Sequence, residues 1–450
     1  MNLVYKVNDK PKFGQLIIFA LQQLLAILAA TIAVPSIIGH GMSQSAALFG
    51  AGVGTIVYLL FTKFKSPVFL GSSFAFLPSL SAAFAGGVSV SVGYAGLLIG
   101  AALAGLVYVV IALFVKLAGT KWIAKLMPPV VIGPTVAIIG LSLAGNAIGD
   151  ALHGAAWSSD LSAYVMNTSA WANLICAVVT LLTVIFFSIR GKKMFKLIPF
   201  ILGIIAGYLV ALIFTLIGKA SGHPSLIILD FSAFNTMKWV PEFTFVEAFK
   251  GFKEIDGKYI ASVAVAYVPV AFVVLAEHIA DHRNLSTIID QDLLTKPGLH
   301  RTLLGDGIGS IAGAFFGGCP NTTYGESIGC VAITGNASVI TILATAFLAI
   351  IASFCGPFVT FLSTIPSCVM GGVCITLYGF IAVSGLKMLQ PVDLNDNRNL
   401  FTASVILIAG IGSMALNIGA VTLTKVAVAL IFGVIVNFLF NHPSKAEKNS

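Results

Sequence analysis

Long apolar runs recur along the whole chain and are separated by short polar connections. Two clear examples read "VTLLTVIFFSI" and "LIPFILGIIAGYLVALIFTLIG". Runs of about 20 apolar residues are long enough to cross the hydrocarbon core of a bilayer as helices. The pattern therefore predicts an all-α membrane protein with about fourteen transmembrane spans, near residues 14–34, 44–61, 71–86, 92–115, 127–146, 170–189, 197–218, 259–281, 302–317, 325–335, 338–356, 367–386, 400–417 and 424–441.

Composition argues against a soluble protein. Of the 450 residues, 58% are hydrophobic and only 9% are charged, whereas a soluble domain has about 25% charged residues. So few charges cannot cover a soluble surface. The N-terminus lacks a short apolar core followed by a small-residue cleavage site, so we expect no cleavable signal peptide.

The net charge of +8 does not indicate nucleic-acid binding, because the basic residues follow the predicted membrane topology. Most of them lie in alternate connections, which the positive-inside rule places in the cytoplasm. An even number of spans then puts both termini in the cytoplasm, in a plasma or inner membrane. The cytoplasmic set comprises Lys6, Lys10, Lys12, Lys63, Lys65, Lys116, Lys121, Lys125, Arg190, Lys192, Lys193, Lys196, Arg283, Lys296, Arg301, Lys387, Arg398, Lys445 and Lys448.

Two pairs of segments indicate an internal duplication. "PPVVIGPTVAIIGLSLAG" at 128–145 is similar to "IPSCVMGGVCITLYGFIAVSG" at 365–385 in the spacing of proline and glycine. "FLGSSFAFLPSL" at 69–80 and "CPNTTYGESIG" at 319–329 are the two most interrupted spans. The members of each pair lie seven predicted spans apart. Because an odd number of spans inverts the second copy in the membrane, we expect two inverted repeats of seven spans.

Interrupted spans at matching places in two halves point to the binding site of a transporter. Non-helical backbone in lipid leaves N–H and C=O groups without partners, at a cost of several kcal/mol each. Such backbone persists only where it is buried in protein or lines a cavity, and there its amides can bind a ligand. A half-helix that begins after the break also presents the positive end of its dipole to the cavity.

Three carboxylates fall clearly inside predicted spans: Glu277 and Asp281 in "AFVVLAEHIAD", and Glu326 in "TYGESIG". A charge at the bilayer centre costs about 2.5–3.5 kcal/mol on insertion scales, so these groups are expected to hold a proton or to meet a ligand or a cation. Glu277 and Asp281, four residues apart, share one helix face. The alternative is that an acid caps broken backbone or lies at the interface, and Asp281 is near the cytoplasmic end of its predicted span.

His278 and His282 are each displaced by about 100° around the helix from these acids. We interpret them as packed side chains. Their spacing from the acids matches no known metal motif, so we expect no metal site.

The segment "GDGIGSIAGAFFG" has glycine at every fourth position, which predicts a ridge of small residues for close helix packing. The ridge consists of Gly305, Gly309, Gly313 and Gly317. The segment is not a nucleotide-binding fingerprint, because no strand precedes it. Asp306 after Gly305 is also similar to the aspartate motif of intramembrane proteases, with Asp281 as the second aspartate, and this enzyme hypothesis stays open as an alternative.

The stretch "AEHIADHRNLSTIIDQDLLTKPGLHRTLLGDGIGSIAGAFFGGCPNTTYGESIG" resembles the uracil-permease branch of the nucleobase–cation symporters, which are related to the nucleobase–ascorbate transporters. "ALQQLLAILAATIAVP", "VFLGSSFAFLPSL" and "VMGGVCITLYGFIAVSG" are similar to the first, third and twelfth spans of that branch. The resemblance covers essentially the whole chain. It implies a permease, not an enzyme, that imports uracil by cation symport with an elevator-like motion.

The resemblance also implies the architecture. A core domain comprises residues 1–118 (spans 1–4) and 259–356 (spans 8–11), and a gate domain comprises residues 119–258 (spans 5–7) and 357–450 (spans 12–14). Short β-strands lie in spans 3 and 10. The implied partners are a second copy of the chain, membrane lipid and the nucleobase, with no cofactor apart from a co-transported cation and no nucleic acid.

By the same resemblance, carboxylates and backbone amides bind the base while small and aromatic residues enclose it. The implied carboxylates are Glu277 and Glu326, the amides are those of Phe74 and Gly325, and the enclosing residues are Ala30, Tyr324 and Tyr378. Proton coupling is assigned to Asp281, Glu277 and Glu326.

The chemistry of uracil agrees with this set. Uracil has two ring N–H donors and two carbonyl acceptors, so carboxylates can accept from it and free amides can donate to it. Phe74 or a tyrosine can cover the flat ring. Related purine carriers tend to have Gln in place of Glu326, which favours a pyrimidine, and a purine or xanthine carrier of the same fold is the alternative. An anion carrier of the sulfate-transporter architecture is disfavoured, because three acids would repel an anion.

Two positions depart from the pattern of similar bacterial uracil carriers. Asp281 replaces a His, which puts the proton route in question and leaves Na⁺ as an alternative to H⁺, since oxygen ligands suit hard cations. Ser327 replaces the usual Asn after Glu326. Its shorter side chain is expected to support the pocket less firmly.

Overall fold

The computed structural model describes residues 3–119, 122, 128–192, 194–418 and 421–440. Its α-helices are α1 (Phe13–Ile38), α2 (Gln44–Phe61), α3 (Leu77–Ala83), α4 (Val90–Ala118), α5 (Pro129–Ser142), α6 (Ala144–Ala151), α7 (Thr168–Arg190), α8 (Met194–Leu197), α9 (Pro199–Ser221), α10 (Thr244–Gly251), α11 (Gly257–Ile289), α12 (Leu299–Gly317), α13 (Gly325–Thr334), α14 (Val339–Ser353), α15 (Gly356–Ser363), α16 (Ser367–Met388), α17 (Asn397–Ile411) and α18 (Lys425–Phe440). The strands are β1 (Leu70–Ser72), β2 (Ala156–Ser158), β3 (Ala163–Val165), β4 (Asn321–Thr323), β5 (Leu416–Ile418) and β6 (Val421–Leu423).

Eight helical segments within these described residues are long and apolar enough to cross a membrane. They are α1, α2, α4, α5 with α6, α7, α9, α11 and α16. The pair α14 and α15 is bent by 81° and passes the same test when taken together. The predicted class of a mostly helical integral membrane protein is confirmed.

Some predicted sequence features lie outside the described residues. They are the start of the fifth span at 127, the end of the last span at 441, and the basic residues Lys121, Lys125, Lys193, Lys445 and Lys448.

Three predicted boundaries are wrong. Helix α11 continues to Ile289, so Asp281 lies well inside the helix and not near its end. The span expected at 338–356 turns after Ser353, and α15 begins with a proline in its first turn. Helix α17 stops at Ile411, where Gly412 caps it, and the chain then forms the antiparallel β5–β6 hairpin, which was not predicted.

The helices pack in two groups. In the first, α12 packs against α2 and α4, α14 packs against α1 and α2, and α11 packs against α4. In the second, α16 packs against α5 and α7, α9 packs against α7, and α17 packs against α5 and α18.

The predicted glycine ridge on α12 is confirmed. A Cβ built on Gly309 would lie 2.8 Å from the carbonyl oxygen of Gly54 on α2, and one on Gly317 would lie 2.7 Å from the carbonyl oxygen of Ala46. Real Cβ atoms essentially never approach that closely. Glycine therefore allows the backbones of α2 and α12 to lie in direct contact, as in other helix pairs packed in lipid.

The two interrupted segments meet through the antiparallel pair of β1 and β4, with Gly71 opposite Thr322. The amide of Ser73 donates to the carbonyl of Pro320 at 2.9 Å, so the pairing continues past the strands. The ladder supplies partners for backbone that no helix satisfies, as lipid-embedded chains require. The half-helices α3 and α13 begin shortly after their strands, so the ladder fixes where both helix N-termini lie.

The N-terminal segment is attached to the far end of α13. The amides of Val4 and Tyr5 donate to the carbonyl of Gly335 at 2.8 and 3.2 Å, and the amide of Ala337 donates back to the carbonyl of Tyr5 at 2.9 Å. Gly335 is the C-terminal cap of α13. The segment therefore satisfies a carbonyl at the end of this half-helix, where helices leave acceptors unpaired.

Candidate functional site

A cavity of about 380 Å³ lies where the strand pair, α11 and the second helix group meet. Its polar wall comes from α11 and from the segment that joins β4 to α13. Its apolar wall comes largely from α5, α9 and α16. The lining residues are Phe74, Ala75, Val136, Ile139, Phe200, Glu277, Ala280, Asp281, Thr322, Thr323, Tyr324, Gly325, Glu326, Leu377, Phe380, Ile381, Ser384 and Met388.

One face of α11 supplies two of the three carboxylates in the cavity wall. Glu277 and Asp281 both line the cavity, together with Ala280 between them. The neighbouring His278 and His282 are fully buried, on the other side of the helix. The predicted division of this helix into an acidic face and a packed histidine face is confirmed.

Asp281 is held by a residue of the opposite strand. The hydroxyl of Thr323 donates to Oδ2 of Asp281 at 2.7 Å. The bond joins α11 to β4, two elements of the same cavity wall. It orients the carboxyl group so that Asp281 faces the cavity as a partly satisfied acceptor.

Glu326 stands in the first turn of α13. The first amides of an α-helix lack intrahelical carbonyl partners, and the helix dipole makes this end positive. Tyr324 and Gly325 precede it on the cavity wall. The hydroxyl of Tyr324 donates to the carbonyl of Ser72 at 2.8 Å, which fixes the tyrosine ring over β1.

Gly71 is required beside this tyrosine. A Cβ at Gly71 would collide with the ring of Tyr324. Because Gly71 has no side chain, β1 leaves room for the ring of Tyr324, which closes this side of the cavity.

Phe74 begins a 3₁₀ turn (Phe74–Phe76) that leads into α3. Its ring meets the ring of Tyr378 edge to face, with 6.1 Å between the centroids. Tyr378 and Ala30 are each 2% exposed and do not belong to the lining residues of the cavity, although Leu377 and Ile381 beside Tyr378 do. The structure therefore brings Phe74, Glu277, Asp281, Tyr324, Gly325 and Glu326 to one cavity and leaves Ala30 and Tyr378 behind its wall.

Ser327, the residue after Glu326, joins three elements. Its Oγ accepts from the amide of Phe69 at 3.1 Å and from the side-chain amide of Gln23 on α1. The same Gln23 group donates to the carbonyl of Ser327 at 3.3 Å. The short side chain is fully buried, and the longer Gln23 reaches across to it.

Sequence reasoning missed one buried acid of the membrane region. Asp306 on α12 is 1% exposed, and its Oδ2 lies 2.7 Å from Nδ1 of His278. The sequence analysis considered Asp306 only as a candidate residue of an intramembrane protease. Its setting in the glycine ridge, which buries one face of α12, was the signal that could have identified it as a packed group.

The arrangement suits a flat polar ligand. Carboxylates on α11 and α13 can accept from N–H groups, and the first amides of α13 can donate to carbonyl oxygens. The aromatic rings of Phe74 and Phe380 provide apolar surface for a planar ring. The same carboxylates can bind protons.

Comparison with known families gives one match over most of the chain. The model of a permease family, Xan_ur_permease, matches residues 14–419.

Curated relatives align over nearly the full length. The chain is 40% identical over 450 residues to the uracil permease of Bacillus caldolyticus, with 99% of this chain and 96% of that protein covered. It is 35% identical over 436 residues to the uracil permease of Escherichia coli (strain K12), with 96% and 93% covered. It is 30% identical over 444 residues to a putative pyrimidine permease of the same strain, with 96% and 91% covered.

Among solved structures, the transmembrane domain of the cyanobacterial bicarbonate transporter BicA is similar with a TM-score of 0.65 and 18% identity, over 95% of this chain and all of that one. The murine anion transporter Slc26a9 is similar with a TM-score of 0.63 and 13% identity, over 96% of this chain and 69% of that one. At this level of identity the likeness concerns the fold alone.

Proposed function

The chain belongs to the permease family that matches residues 14–419, and on this premise we propose that it imports uracil by symport with a cation, for which we favour the proton. As a permease it is a transporter in the membrane and not an enzyme, which excludes the intramembrane protease hypothesis. The uracil permeases that are 35–40% identical to it support the substrate.

The observation that carries the proposal is the pairing of two kinds of polar group in one cavity. Glu277 and Glu326 present acceptors, and the first turn of α13 at Gly325 presents backbone donors. Uracil needs both, because its ring alternates N–H and C=O groups along one edge. A cavity built to pair such an edge rejects analogues that leave its buried groups unpaired.

We assign the carboxylates distinct roles. Glu277 and Glu326 accept from the ring N–H groups of uracil. Asp281, one helical turn from Glu277 and bonded to Thr323, exchanges the coupled proton with the cytoplasm. A proton on one of three neighbouring carboxyl groups relieves their mutual repulsion, so substrate binding and protonation support each other.

For the transport motion we propose a core domain and a gate domain with the boundaries implied by the resemblance, within fourteen spans arranged as two inverted repeats. The two helix groups of the structure support this division, since α1, α2, α4, α11, α12 and α14 pack mainly among themselves and the gate helices do likewise. The polar wall of the cavity belongs to the first group, and the apolar wall to the second. The core then carries the substrate past the gate in an elevator-like step.

The cavity is proposed to open to the cytoplasm, where we place both termini. Met388, the last residue of α16, lines it, and so does Asp281 in the C-terminal third of α11. A second hollow of about 550 Å³ lies at the ends of the helices that are away from the cavity. Its lining includes residues of the α1–α2 connection, Asp150 and Met370. We propose that this hollow is the outer approach, closed from the cavity in this conformation. Assembly as a homodimer stays a prediction of the resemblance.

The roles of the two glutamates are tested by uptake of labelled uracil into cells that express Glu277→Gln or Glu326→Gln. Each change removes an acceptor and adds a donor, so each is expected to abolish uptake while the protein folds normally. Glu254→Gln is the control, because Glu254 lies on the outer surface and accepts from Ser89. Normal uptake by either glutamine variant would refute the site.

Competition distinguishes the alternative substrate. Unlabelled uracil is expected to suppress uptake of labelled uracil, whereas unlabelled xanthine is expected to have little effect. Stronger competition by xanthine would make the protein a purine carrier of the same fold.

A further inference from the structure

The connection between α9 and α11 contains the short helix α10, one side of which is fixed on α4. Thr244, Ala248 and Gly251 of α10 are buried, and a Cβ on Gly251 would collide with the carbonyl of Ser91 in the first turn of α4. The hydroxyl of Ser91 also donates to Glu247. These contacts set the rotation of α10, so the sides that it presents to its surroundings are defined.

The exposed part of α10 divides into an apolar flank and a polar flank. At about 100° per residue, the side chains follow one another around the helix in the order Phe245, Phe249, Val246, Lys250 and Glu247. Val246 is 53% exposed and Phe249 is 57% exposed. On the polar flank, Nζ of Lys250 lies 2.6 Å from Oε2 of Glu247. A helix divided in this way suits a boundary between an apolar medium and water.

The apolar flank of α10 continues the exposed surface of α12. Phe245 stacks on Phe315 of α12 with 4.8 Å between the ring centroids, and Phe249 meets the same ring edge to face at 6.3 Å. Phe315 is two residues from Gly313 and therefore about 200° around the helix from it, on the side away from the glycine ridge. Phe315 is 36% exposed. The side of α12 that faces away from the protein thus passes directly into the apolar flank of α10.

The rest of the connection has the composition of a membrane–water boundary. Trp239 precedes α10 and Phe252 follows it, and both side chains are exposed. Tryptophan is enriched where bilayers meet water, and Lys253 beside Phe252 is also exposed, with a stem long enough to reach water from an apolar layer. Helix α4, on whose first turn α10 lies, is long and apolar enough to cross the membrane. The connection therefore lies at the level of a bilayer surface.

A second copy of the chain is the other candidate occupant of this flank. A stable interface between proteins buries about 800 Å² on each partner, and the few apolar side chains of one eight-residue helix supply only a fraction of that area. The continuity with the exposed side of α12 also favours lipid, because the same medium then covers both surfaces.

We propose that α10 is an interfacial helix. Its flank of Phe245, Val246 and Phe249 inserts at the boundary of the lipid headgroups and acyl chains, while Lys250 and Glu247 face water. The leaflet is the one at which α4 begins, which is the outer leaflet in the proposed topology. Because α10 packs on α4 and α12, it ties that end of both helices to the membrane surface.

The test uses a bimane label on single cysteines of the full-length protein in proteoliposomes. Cys355→Ala first removes the exposed cysteine, since the other five are buried. Val246→Cys then places the label on the apolar flank, and Lys250→Cys places it on the polar flank of the same helix. The quenchers are iodide on both sides of the membrane and phosphatidylcholines that carry a nitroxide on the headgroup, on the upper acyl chain or at the chain end.

We expect the label at 246 to be quenched most strongly by the nitroxide on the upper acyl chain and to be protected from iodide, and the label at 250 to show the reverse. Strong quenching by iodide at both positions would refute insertion. Protection of the label at 246 from iodide and from every nitroxide would show that protein covers the flank, which would overturn the assignment to lipid. Strongest quenching by the nitroxide at the chain end would contradict the interfacial depth.

A further substitution tests the residue that holds the flank in lipid. Phe249→Gln in the protein labelled at 246 is expected to reduce quenching by the acyl-chain nitroxide and to increase quenching by iodide. Phe401→Gln is the matched control, because Phe401 is a similarly exposed phenylalanine on α17. Identical quenching in the two variants would refute the anchoring role of Phe249. These measurements need no uracil, so they do not depend on the proposed function.

Discussion

The hydroxyl of Thr323 donates a 2.7 Å hydrogen bond to Oδ2 of Asp281. This bond connects the acidic face of α11 with the strand that leads to Glu326. The hydrogen bond thus links the two segments that carry the carboxylates of the cavity. The position of the Asp281 carboxyl group depends on β4 as well as on its own helix.

Replacing Thr323 tests that placement. Thr323→Val keeps the shape of the side chain and removes the donor, so Asp281 loses its partner at a cost of about 0.5–1.5 kcal/mol. We expect uracil uptake to fall by up to about tenfold, with a change in its pH profile, because the carboxyl group that exchanges the proton has lost a bond. Thr323→Ser keeps the hydroxyl and is expected to behave as the wild type. Equal activity of the Val and Ser variants would show that the bond does not matter for transport.

A substitution at Ser327 tests whether this serine supports the N-terminal end of α13. Ser327→Ala leaves the buried amide of Phe69 without its acceptor, which costs about 1–3 kcal/mol, and it removes one of the two acceptors of the Gln23 side-chain amide. We expect a lower melting temperature and weaker uracil uptake, since α13 loses its side-chain link to the start of β1 and one of its two bonds to α1. The control is Ser404→Ala, because Ser404 is a half-buried helical serine whose hydroxyl donates to the carbonyl of Leu400 in its own helix. Unchanged melting of Ser327→Ala would contradict the supporting role of this serine.

The contact between α2 and α12 predicts a stability effect. A methyl group at Gly309 would press on the carbonyl of Gly54, and overpacking of this kind costs about 1–3 kcal/mol. Gly309→Ala is therefore expected to lower the melting temperature in detergent. Gly379→Ala is the matched control, because a Cβ built there meets no atom of another described element within 4 Å. If both variants melt alike, the close contact is not a source of stability.

Local periodicity was sufficient to predict several features of the site. The four-residue spacing of Glu277 and Asp281 placed both acids on one helix face, and the one-residue offset of His278 turned that residue away from it. The spacing of glycines in α12 likewise predicted a close helix contact. These predictions succeed because each depends on the geometry of a single helix.

Features that depend on distant partners could not be derived in the same way. The pairing of Gly71 with Thr322 joins segments far apart in the sequence, and the strand signal in each is only three residues long. The partner of Asp306 was also out of reach, since nothing in its own segment identifies His278. The β5–β6 hairpin escaped notice because its apolar residues extend the pattern of the preceding helix.

The most direct test of the account is uracil uptake by purified protein in proteoliposomes under an imposed ion gradient. An inward proton gradient is expected to drive uracil above its equilibrium level, an inward Na⁺ gradient at equal pH is expected to have no effect, and Glu326→Gln is expected to abolish the proton-driven accumulation. Accumulation that follows the Na⁺ gradient and ignores the proton gradient would contradict proton symport through the carboxylates of this cavity.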